Sequence, residues 1–101
     1  MIYVVTTIHR NQDDNYQRAV GYYFRQEHAI QAVVNNICDI YEHAHYNYAV
    51  IEAVEEGLYQ YDLEPLWFSV NAERTDKGIK YDVKQIEPPY FAKNTVGFGI
   101  G

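Results

Sequence analysis

With 14 acidic and 8 basic residues among 101, the chain carries a formal charge of −6, the wrong sign for general nucleic-acid binding, whose affinity comes from cationic neutralisation of phosphate. Its 48% apolar and 22% charged residues exclude disorder, and a chain of this length buries roughly two thirds of its unfolded surface, so one domain over residues 1–101 is expected. The single Cys38 excludes an internal disulfide and any multi-cysteine metal centre, and no cofactor is implied.

IYVVTTI (2–8) is β-branched and aromatic, the composition of a buried strand. HRNQDDNYQR (9–18) reads as a polar loop, and AVGYYF (19–24) as a second strand antiparallel to the first. Gly21 within it marks a bulge or a close approach by another backbone or a ligand. Ile30, Val33, Val34, Ile37 and Tyr41 then recur at helical spacing, predicting one amphipathic helix. Arg25 and Gln26 cap its start poorly, although Glu27 suits the helix dipole.

YNYAVIEAV (46–54) is apolar on both parities until Glu52, as a central strand requires. EPLWFSVNA (64–72) and GIKYDVKQI (78–86) form a hairpin around Asp76 and Gly78, with Ile79, Tyr81 and Val83 alternating against Lys80, Asp82 and Lys84. EPP (87–89) ends that ladder, and Val96, Phe98 and Ile100 predict a docked C-terminal tail. The expected fold is therefore α+β: a single antiparallel sheet of about five to six strands with one main amphipathic helix, in the order ββαβββ plus the tail. One helix leaves the second sheet face uncovered, a natural dimer or ligand surface. No apolar run approaches the roughly 18–20 residues of a membrane span, and no leader pattern follows Met1, so a cytoplasmic location without membrane contact is expected.

The basic residues fall in two blocks: Arg10, Arg18 and Arg25, then Arg74, Lys77, Lys80, Lys84 and Lys93. Between them, Gln26 to Glu64 hold eight acidic residues and no Lys or Arg. If folding joins the blocks, an acidic body gains one local anion site; chance segregation is the alternative.

Catalysis finds no support. His43 and His45 with Asp39 and Glu42 fall short of a convergent metal site, His9 and Arg10 match no paired-histidine phosphoesterase pattern, and no P-loop, dinucleotide fingerprint or serine elbow is present. Recognition remains. Flat heteroaromatic ligands are held by stacking, here by Tyr22, Tyr23, Trp67, Phe68, Tyr90 or Phe91, and their phosphates by Arg18, Arg25, Arg74 or Lys93. Asn71 and Asn94 would read base or ribose, and Gly21 would admit a close approach. If Leu66, Phe68 and Val70 face the core, then Trp67, Ser69 and Asn71 face outward as a platform. The alternative is that Trp67 covers the sheet or a dimer interface.

The runs RAVGYYF, NNICDIYE, YNYAVIEAVEEGLY, PLWF and VGFGIG, spread from Ile2 to Gly101, resemble those of the small bacteriophage-encoded anti-Thoeris sponge proteins. The resemblance implies a viral immune-evasion protein of the host cytoplasm that sequesters a cyclic ADP-ribose isomer, or also cyclic oligonucleotides, without cleaving it. It further implies a homodimer or higher homo-oligomer with pockets at subunit interfaces. The rival expectation is an acidic interaction protein that inhibits a host defence protein or nuclease by direct binding, favoured by the long stretch without positive charge. Convergence of Arg18, Arg25 and Arg74 would separate the sponge from the mimic.

Overall fold

The five β-branched or aromatic stretches all become strands, and one helix connects the second to the third. The computed structural model describes residues 1–10, 15–35, 37, 46–56 and 65–89. Its elements are β1 (Ile2–Arg10), β2 (Asn15–Tyr23), α1 (Gln26–Val34), β3 (Tyr48–Val54), β4 (Leu66–Thr75) and β5 (Gly78–Ile86). The strands form one antiparallel sheet in the order β2-β1-β3-β4-β5, the α+β arrangement ββαβββ. The predicted tail strand, Tyr41, His43 and His45 lie outside the described residues.

β2 begins at Asn15, inside the predicted loop, because a sheet edge tolerates polar residues: Gln17 and Arg18 pair with Ile8 and Thr7. The bulge anticipated at Gly21 is present as a register shift opposite Val5 and Thr6, with Val20 as the extra residue. No backbone of a described residue approaches Gly21 closely: an added Cβ would meet only Tyr23 Cε2, at 3.9 Å. β4 likewise runs on to Thr75 and leaves Asp76 and Lys77 as a two-residue turn. The Thr75 hydroxyl donates to the Gly78 carbonyl (2.7 Å) and accepts from the Lys77 N–H (3.3 Å), while Gly78 takes φ +118°, which a side chain rarely adopts.

α1 is shorter than the predicted apolar stripe. Its buried residues are Ala29, Ala32 and Val33, whereas Val34 and Ile37 are exposed. Asn35 closes the helix, and the Ile37 N–H bonds the Ala32 carbonyl (2.8 Å), the long-range bond of a Schellman termination. α1 therefore ends before Ile37 joins its face. At the other end Arg25 is the N-cap, and its side chain makes no capping bond.

α1 packs over β1, β2, β3 and β5. The core on that side joins Ala29, Ala32 and Val33 to Val5, Ala49, Ile51, Phe68, Val70 and Tyr46. The opposite face, expected to be uncovered, is buried too: Val4, Thr6, Ile8, Val50, Glu52 and Trp67 all lie inside. Ala49 to Glu52 are buried without a break in β3, which is what a strand enclosed on both faces requires.

Two substitutions test this account by urea denaturation. Phe68→Ala, emptying the α1-side core, should cost about 3–5 kcal/mol. Gly78→Ala meets no steric obstacle yet should still cost about 1 kcal/mol, because its backbone angle is unfavourable for alanine.

Candidate functional site

The sheet register groups the face opposite α1 into rows. One row runs Tyr22–Val4–Glu52. The next crosses all five strands as Ala19–Thr6–Val50–Trp67–Ile86. Thr6, Glu52 and Trp67, each 1% exposed, are thus polar side chains set around Val50 in an otherwise apolar surface. Directly opposed residues stand about 5 Å apart and diagonal ones about 7–8 Å, so Glu52 lies within side-chain reach of Thr6 and of Trp67, which themselves stand two strands apart across Val50. Thr6 Oγ1 is buried without a hydrogen bond, and Glu52 and Trp67 both take part in interactions.

At the rim, the Tyr22–Val4–Glu52 row reaches the open edge of β2. Tyr22 is 62% exposed and Phe24 75%, and their rings meet edge to face with centroids 5.9 Å apart and planes at 78°. Tyr22 stands about 10 Å, two strand spacings, from Glu52. Arg25 follows directly; it is exposed and makes no ion pair among the described residues. It is the N-cap residue of α1, whose first backbone N–H groups have no side-chain cap.

The residues expected to bind ligand distribute unevenly over this geometry. Arg18 is exposed on the α1 side of β2, opposite Thr7, and Tyr23 packs against the α1-side core. Trp67 and Phe68 occupy opposite faces, as their parity requires, but both are buried. The expected outward tryptophan platform is therefore corrected: Trp67 closes the second core together with Ile8 and Val50. Asn71 is exposed on that same face, opposite Asp82. Arg74 falls near the hairpin tip with its side chain outside the described set, and Tyr90, Phe91, Lys93 and Asn94 lie outside the described residues.

The structure does not bring Arg18, Arg25 and Arg74 together. Counting from the row that joins Arg18, Thr7, Ala49 and Phe68, Arg74 is six residues away in one direction, and Arg25 lies beyond Tyr23 in the other. At about 3.3 Å per residue they stand roughly 40 Å apart, near opposite ends of a molecule 47 Å long. Arg25 and Arg74 therefore share no anion site within one chain.

Sequence reasoning missed Thr6, Glu52 as part of a polar group, and Phe24 as a surface residue. The signal for Phe24 was present in YYF: three consecutive aromatics at a strand end cannot all point inward. Thr6 carried none, being an ordinary strand residue. Among the described residues no three His, Cys, Asp or Glu side chains converge to hold a metal, and no helix is long and apolar enough to cross a membrane. No family model, curated protein or solved structure matches this chain.

Thermal and urea denaturation should divide these residues. Trp67→Ala should cost about 3–5 kcal/mol. Tyr22→Ala and Phe24→Ala should each stay within about 0.5 kcal/mol of the parent, since neither side chain is in the core.

Proposed function

We propose that the protein binds and holds, without chemistry, a flat anionic heteroaromatic ligand of the cyclic nucleotide class, a cyclic ADP-ribose isomer or a cyclic oligonucleotide. The observation that carries the reading is the Tyr22–Phe24 pair: two large aromatic rings in contact with each other, exposed at the end of an edge strand and followed at once by Arg25. Exposed contiguous aromatics that do nothing for the core are a mark of recognition surfaces. A nucleobase stacks on such rings at about 1–3 kcal/mol per base. Arg25 offers a charge-assisted, two-pronged hydrogen bond to a phosphate. The uncapped start of α1 favours negative charge in the same place.

The reading is of a sponge, which needs affinity and no reacting groups, and the sequence resemblance points the same way. Arg18, Arg25 and Arg74 do not converge within one chain, which counts toward the partner-blocking reading unless a second copy brings them together; the proposal therefore includes a homodimer or higher homo-oligomer. Capture of an immune signal in an infected cell is the role such a protein would serve.

A second reading, an acidic protein that blocks a defence enzyme, has its own observation. Glu27, Glu55, Glu56 and Glu87 are all exposed. Glu55 and Glu56 follow β3 at the end where β1 begins, and Glu27 follows β2 at that same end. In that case Tyr22 and Phe24 would be anchors for a protein partner rather than for a base.

Native mass spectrometry with cyclic ADP-ribose isomers and cyclic di- and trinucleotides decides between them. Ligand bound at fixed stoichiometry and recovered intact after heating supports the sponge, while cleaved product makes the protein an enzyme. Phe24→Ala and Arg25→Ala should each weaken binding about 10-fold or more with the fold intact. No binding by the parent across the panel ends the sponge reading and favours the partner-blocking one.

A further inference from the structure

We infer that the outer edge of β5 pairs with β5 of a second copy, antiparallel and about a two-fold axis at Val83, joining two five-stranded sheets into one. The inference gives the homo-oligomer of the proposed reading an interface, and it stands without any ligand. Among the described residues the sheet ends at β2 and β5, and the two edges are not alike. β2 carries a bulge at Val20, which interrupts an edge and discourages pairing. β5 holds nine residues in unbroken register with β4. Near its end both faces are open: the Asp82 and Lys84 side chains are 57% and 68% exposed, and Gln85 on the α1 side is exposed as well.

Parity sets which backbone groups that edge offers. A two-residue turn is closed by a hydrogen-bonded pair, here Thr75–Gly78, and such pairs recur at every second residue. The N–H and C=O groups of Lys80, Asp82, Lys84 and Ile86 therefore turn toward β4, and those of Val83 and Gln85 turn outward. An antiparallel copy can meet them with Tyr81, Asp82 or Val83 on the axis, and charge decides among these registers. An axis at Asp82 sets it against the partner's Asp82 and Lys80 against the partner's Lys84, like facing like. An axis at Tyr81 sets Lys84 opposite the partner's Gly78, which offers no countercharge. An axis at Val83 sets Asp82 opposite the partner's Lys84 and Lys84 opposite the partner's Asp82. Lys80 then faces the partner's Ile86 and keeps Glu73 opposite it within its own chain. Lysines on an edge ordinarily keep other strands away. The intervening Asp82 turns this row into one that a reversed copy of itself completes. Each Tyr22 rim stays at an outer edge of the joined sheet, so the pairing neither covers that rim nor brings Arg25 to the partner's Arg74.

Sedimentation equilibrium from about 1 to about 300 μM, with thermal melts beside it, tests the pairing. The parent should dimerise within that range. Lys84→Asp and Asp82→Lys should each weaken the dimer about 10-fold or more, and the double exchange Asp82→Lys with Lys84→Asp should restore it to within about threefold. Gln85→Pro removes one outward N–H and none that β4 uses, so it should fold as the parent does and dimerise at least about 10-fold more weakly. A parent that is monomeric throughout overturns the inference and leaves Lys80 and Lys84 as guards of an unused edge. A dimer indifferent to Lys84→Asp or to Gln85→Pro, or one that the double exchange does not restore, overturns it as well, since another surface then joins the copies. No ligand enters these measurements, so failure of the pairing and failure of ligand capture are read separately.

Discussion

The enclosure of β3 is the constraint on which the rest of the molecule depends. It is hydrogen-bonded to β1 on one side and β4 on the other, and four consecutive residues, Ala49 to Glu52, are buried. Side chains alternate between faces along a strand, so a buried run of both parities means that both faces of the sheet are closed. Burial of Val50 and Ile51 contributes about 1.5–3 kcal/mol each, one on either face. Register follows: a one-residue slip of β3 would send Glu52 to the α1 side and Ile51 away from it. The place of the one buried carboxyl group among the described residues is thus fixed by the same pattern that fixes the sheet.

That enclosure consumes much of what composition offered for recognition. Trp67 and Phe68, the two aromatics best placed on paper for a ligand, are the largest fully buried side chains. The tyrosine-rich stretch from 46 to 68 divides accordingly where it is described: Tyr46 is in the core and Tyr48 packs against the second cluster. Aromatic richness in this chain serves packing first. Among the described residues, the aromatics most exposed by that packing, Tyr22 and Phe24, stand at the end of β2.

The sheet was legible because its strands obey local rules. GIKYDVKQI alternates cleanly and occupies the predicted residues of β5, and the Pro88–Pro89 pair halts it as expected. β2 was half hidden, since an edge strand with one wet side can carry NYQR without an apolar signal. The helix was over-read at Ile37: helical spacing of apolar residues persists past the point where Asn35 and the Ile37–Ala32 bond end the helix. The error that mattered for function came from counting helices. One helix suggested one covered face, although the unbroken apolar run in β3 already required two. The separation of Arg18 and Arg25 from Arg74 was beyond reach, because it depends on strand order, and β1 and β3 intervene between β2 and β4.

Residue type and observed burial part company at a few positions, and their location is informative. Ordinary folding would place the Phe24 and Tyr22 rings inside and the Glu52 carboxyl and Thr6 hydroxyl outside. The protein does the reverse with all four. Tyr22 and Glu52 share one register row through Val4, and Thr6 lies in the next row on the same face. Inversions scattered over a surface would be the ordinary residue of marginal stability. These four gather along one edge and face of the sheet, although Val34 and Ile37 are exposed as well at the far end of α1, and only the Tyr22–Phe24 pair brings two exposed rings into contact; that pair therefore carries the proposed recognition.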